Sequence, residues 1–139
     1  MIGSALVYVP GPYASAREPQ LMTPSGLVLG LQLDEGRTFV KLLEEVTVPL
    51  GRGDVFFLYT DGLSEAMNAE GDCFGDNRLA SLIGQHADLG AEELRERILR
   101  EIDAFTNSAV QQDDMTMVLL RVEQVGQFSV APALAHADA

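Results

Sequence analysis

The stretch DVFFLYTDG, residues 54–62, limits the fold of this chain more than any other. Val55 to Tyr59 form an unbroken apolar and aromatic run of strand length, which reads as a buried strand. It then runs straight into Asp61-Gly62. That pair has two readings. Gly takes the positive φ angles of a turn and Asp bonds back to its own backbone. Equally, a carboxylate on a rigid strand end can grip a metal ion or a phosphate.

The flanks supply further elements. SALVYV (4–9) reads as a strand, followed by a Pro-rich loop, and QLMTPSGLVLGL reads as extended pieces broken by Pro24, Gly26 and Gly30. TFVKLLEEVTV (38–48) is rich in β-branched residues and is expected to be a strand, with PLGRGD turning it into 54–60 as a hairpin. DNRLASLIGQ (76–85) is expected to be helical, with Asp76 as N-cap and Leu79, Leu82 and Ile83 on one side. In residues 90–107, Leu94, Ile98, Ile102 and Phe105 make one apolar stripe, and Glu93 with Arg97 and Glu96 with Arg100 are spaced as i,i+4 ion pairs. MTMVLLRVE (115–123) reads as a strand that places Thr116, Val118, Leu120 and Val122 on one face. It is preceded by Asp113-Asp114.

Composition narrows the function classes. With 139 residues, 47% of them hydrophobic, the chain has enough apolar surface for one core. Nine Lys plus Arg against 21 Asp plus Glu give a net charge of −12, which argues against nucleic acid and anionic membrane surfaces as partners. One cysteine and two histidines leave no internal disulfide and no zinc cluster, so a reducing, cytoplasmic setting fits best. Cys73 has no cationic neighbour in sequence to activate it and reads as a half-buried structural thiol, whereas His86 reads as solvent-facing. The start of the chain does not resemble a targeting segment, and residues 124–139 read as a mobile Ala-rich tail after a domain spanning 1–123.

Asp61 at the end of one strand and Asp113-Asp114 before another would converge if the two strands were antiparallel neighbours. Oxygen-only ligands of that kind favour Mg²⁺ or Mn²⁺. Two other acid-rich readings fail. In a haloacid-dehalogenase-like site the nucleophile position would be Tyr59, and GDCFGD (71–76) lacks the alternating acids and closing glutamate of an EF-hand.

The string PLGRGDVFFLYTDGLSEAMNAEGDCFGDNRL, the helix containing AEELRERIL, and QQDDMTMVLLRV together resemble the C-terminal half of the PPM (type 2C) serine/threonine phosphatases, in their SpoIIE-like and RsbU-like branch. The resemblance runs from about Thr23 to Val122. It implies an α+β fold, a sandwich of antiparallel sheets flanked by helices with its N-terminal part missing. It also implies that Asp61 and Asp113 are catalytic metal ligands, with Asp114 in the Asn/Asp position beside them. The cofactor implied is Mn²⁺ or Mg²⁺ in a two-metal centre, and the substrate a phosphorylated regulator such as an anti-sigma-factor antagonist. A homodimer is compatible with it.

The family also carries an upstream aspartate, in a DxxGHG-like segment, that bridges both metals. Here the only acid before Asp34 is Glu18, and no histidine precedes His86. Three explanations follow: a truncated reading frame, which is favoured, a relative that has lost catalysis, or a segment completed by another chain. The alternative to a phosphatase is therefore an inactive phosphatase-like module that binds a regulatory protein. Missing strands would leave sheet edges and apolar faces uncovered, so the isolated chain is expected to be less stable than a full domain or to self-associate.

Overall fold

The computed structural model describes residues 4–23, 36–107 and 114–126. Among them, four strands form one antiparallel sheet: β1 (Ser4–Val9), β2 (Gln20–Met22), β3 (Val55–Thr60) and β4 (Met117–Arg121), in the order β2-β1-β3-β4. The helices are α1 (Arg37–Leu42), the single turn α2 (Asp61–Ser64), α3 (Asp76–Gln85) and α4 (Ala91–Thr106). This is the α+β architecture of an antiparallel sheet flanked by helices.

The apolar run at 55–59 lies centrally, between β1 and β4. Because side chains alternate across a strand, Val55, Phe57 and Tyr59 are buried together with Val7 and Val9 of β1. Leu79 and Ile83 of α3 and Leu94, Ile98 and Ile102 of α4 complete that core. On the opposite face Tyr8 stacks on Phe56, with ring centroids 5.0 Å apart, beside three exposed residues, Leu58 (42% exposed), Val118 (50%) and Leu120 (53%).

Several sequence expectations change. Residues 38–48 form no strand: 37–42 are helix α1 and 43–50 are irregular. Both edges of β3 are taken by β1 and β4, so no hairpin arm from 38–48 has a place beside it. Helix α3 covers the expected residues, but its N-cap is Gly75. Asp76 instead accepts a hydrogen bond from the Tyr59 hydroxyl at 2.7 Å.

On α4 the charges pair differently from the expected register. Arg95 meets Glu92 and Arg97 meets Glu101, each at 2.8 Å, while Arg100 Nε donates to the Glu96 carbonyl. On β4 the face turned to the helices carries Met117 and Leu119, so Val118 and Leu120 lie on the opposite, exposed side. Cys73 is exposed, because it belongs to a small surface hairpin in which it bridges to Met67. His86 is only half exposed, at the C-cap of α3. Of the extended pieces expected over 20–31, Gln20–Met22 form β2, whereas residues 24–31 and most of the expected tail lie outside the described residues.

Candidate functional site at the end of β3

The C-terminal end of β3 is fixed by three hydrogen bonds to the segment that leads into β4. Thr60 N–H donates to the Thr116 carbonyl at 3.1 Å, Thr116 N–H donates to Thr60 Oγ1 at 3.2 Å, and Thr60 Oγ1–H donates to the Asp114 carbonyl at 3.4 Å. These bonds carry the β3–β4 ladder one step past its last registered pair, Tyr59 with Met117. Below them, the Tyr59 hydroxyl bond to Asp76 joins the strand end to the start of α3. Burial, reinforced by that carboxylate, raises the phenol pKa well above its ordinary value.

The backbone then turns directly into α2. Gly62 is buried against the Asp114 backbone, and a Cβ at this position would collide with the Asp114 carbonyl oxygen. Glycine is therefore required here for close approach of two chain segments. Gly62 is thus a packing glycine, and Asp61 opens the single turn of α2.

Asp61 is half-buried in the first turn of α2. Its carbonyl accepts from Glu65 N–H at 2.7 Å and from the Ser64 hydroxyl. Its carboxylate has no hydrogen bond or ion pair among the described residues. The expected antiparallel neighbourhood of the two strands is present, and it brings the exposed residue Asp114 beside the Asp61-Gly62 corner. Asp113 lies outside the described residues.

The donor set of the described residues does not amount to a two-metal centre. Among the described residues, no three His, Cys, Asp or Glu side chains gather where they could hold a metal ion. Asp61 suits one position of a hard-cation site, and such ions bind more tightly as ligand charge and rigidity increase.

A second aspartate escaped the sequence reading. Asp54, at the opposite end of β3, is 3% exposed and accepts from Gly11 N–H at 2.6 Å, Gly51 N–H at 2.7 Å and the Tyr8 hydroxyl at 3.3 Å. An acid directly before an apolar run was the only local signal, since two of its three donors lie more than 40 residues away. In the small hairpin after α2, Asn68 Oδ1 accepts from Glu70 and Asp72 N–H, which makes that acid-rich loop a turn built on Asn68.

Among the described residues no helix is long and apolar enough to cross a membrane. A comparison with curated proteins gives no match. Among solved structures, the SiaA-PP2C domain of Pseudomonas aeruginosa is similar, with a TM-score of 0.63 and 26% identity over 86% of this chain. The present chain covers 43% of that domain, under half of its length. Residues 7–123 match the family model for stage II sporulation protein E (SpoIIE). With that match spanning most of its length, on an antiparallel sheet whose strand β3 ends just before Asp61, the chain belongs to the SpoIIE family of PP2C-type phosphatase domains.

Proposed function

We propose that this chain acts as a phosphatase-fold module that binds a regulatory phosphoprotein, of the anti-sigma-factor antagonist type, without hydrolysing it. The observation that supports this reading is the donor set. Asp61 offers one carboxylate at the sheet rim, and among the described residues no cluster of three ligating side chains accompanies it. With so few fixed ligands among the described residues, weak binding of Mn²⁺ or Mg²⁺ and no self-assembled two-metal centre are the expected behaviour.

The unpartnered Asp61 carboxylate favours a second reading, in which another chain supplies the remaining ligands and the family's phosphatase activity is restored. Asp113 and Asp114 would then join Asp61 as ligands.

The test is Mn²⁺-dependent hydrolysis of an aryl phosphate by the folded chain, beside its Asp61→Asn variant. No hydrolysis by either is the expected result. Hydrolysis by the unmodified chain that disappears in Asp61→Asn would overturn the binding-module reading. Calorimetric titration with a phosphorylated antagonist-type protein is expected to give measurable binding heat.

A further inference from the structure

A groove of about 480 Å³ opens between α3 and α4, on the helical layer of the molecule. Phe105 and Ala104, over the buried Phe74 and Leu82, supply its apolar surface. Phe74 and Phe105 meet edge to face, with centroids 5.3 Å apart. The Arg78 guanidinium carbon lies over both rings, 4.6 Å from the Phe105 centroid and 5.3 Å from that of Phe74. A cation–π contact of this kind positions the guanidinium without neutralising its charge.

The Arg78 N–H donors have no acceptor among the described residues. The contrast with the arginines of α4 is informative, because Arg95, Arg97 and Arg100 each donate to a carboxylate or carbonyl of their own helix. Glu101, the acid lining the same groove, is taken by Arg97 at 2.8 Å. Ser81 accepts from Gln85 Nε2 at 3.2 Å, one turn along α3 from Arg78, which leaves its hydroxyl hydrogen to donate. The groove thus combines an apolar floor with a positioned cation that has no ion-pair partner among the described residues, in a chain whose net charge is −12.

We propose that this groove docks an acidic segment of a partner protein, with one Glu or Asp carboxylate on Arg78 and a neighbouring apolar side chain on Phe105 and Ala104. Charge complementarity selects the occupant. A planar carboxylate matches the in-plane donors of the guanidinium. A singly charged group also meets less repulsion from Glu101 and from the acidic chain than a phosphate dianion would. The site makes no use of Asp61.

The test uses blocked tripeptides and the ¹⁵N-labelled chain, read by amide chemical-shift changes. Ac-Leu-Glu-Leu-NH₂ is expected to shift amides of residues 74–85 and 101–105 and to bind about threefold more tightly than Ac-Leu-Gln-Leu-NH₂. Arg78→Gln should erase that preference, Arg78→Lys should keep part of it, and Asp61→Asn should leave it unchanged. Equal affinity for the Glu and Gln peptides would overturn the proposal. So would shifts confined to other parts of the chain, or tighter binding of a third peptide, Ac-Leu-phosphoserine-Leu-NH₂, than of the Glu peptide. The Glu and Gln comparison on the unmodified chain decides the matter even if Arg78→Gln fails to fold.

Discussion

Two aspartates bracket the central strand, and the molecule treats them in opposite ways. Asp54, before β3, is buried and accepts three hydrogen bonds, so its charge is spent holding the β1–β2 loop to the start of β3. Asp61, after β3, sits half-buried on a corner fixed by Thr60, Gly62 and Thr116, yet its carboxylate has no protein partner among the described residues. The same residue type is therefore structural at one strand end and available at the other. The difference lies in which end has backbone donors aimed at it.

Substitution at the two ends should separate them most sharply. Asp54→Ala leaves two backbone N–H groups and a phenol without their acceptor, and is expected to cost about 3 kcal/mol in urea unfolding. Asp61→Ala should change stability by less than about 0.5 kcal/mol in the same measurement. Equal losses at both positions would break the comparison.

The next effect concerns the corner itself. Gly62→Ala forces a methyl group against the Asp114 carbonyl, so β3 and the segment before β4 must separate. A loss of about 2 kcal/mol is expected, visible as a lower urea midpoint and faster hydrogen exchange at Thr60 and Thr116. An unchanged midpoint would mean that the corner yields freely.

The two faces of the sheet repeat the lesson with apolar groups. Val7, Phe57 and Tyr59 are covered by helices, whereas Leu58, Val118 and Leu120 are exposed on the other side. Concentration-dependent self-association is expected, and replacing Leu58 and Leu120 by Thr should reduce it while costing under about 1 kcal/mol. A sharp, reversible melt of a monomer, independent of concentration, would contradict this.

The smallest effect is one of pH. Folding raises the Tyr59 pKa from its ordinary 10.0, so the unfolded chain ionises first as pH rises. The associated stability is complete below about pH 10 and is lost as pH rises toward the folded-state value. Tyr59→Phe should flatten that alkaline decline, although Tyr8, raised by burial and by Asp54, retains part of it.

Local pattern revealed much of this molecule, and its limits are specific. The 3.6-residue period gave α3 and α4 almost to their ends, because Leu79, Ile83, Leu94, Ile98 and Ile102 all face the sheet. The apolar run gave β3, and the Asp61-Gly62 corner stood out at its end. The region 38–48 misled because β-branched residues signal strand, whereas strand formation needs a partner and β1 had taken the place beside β3. Asp54 could not be assigned for a related reason, since the Gly11 and Tyr8 donors that define its role are brought to it only by the β1–β3 pairing.

On the proposed reading Asp61 is a ligand for an external cation, and no cluster of further ligating side chains accompanies it among the described residues. Mn²⁺ binding to the folded chain and to Asp61→Asn, followed by the loss of the free-ion electron paramagnetic resonance signal, tests it most directly. Weak binding, with a dissociation constant of about 0.1–1 mM that rises several-fold in Asp61→Asn, is the predicted result. Identical binding by the two proteins would contradict the account.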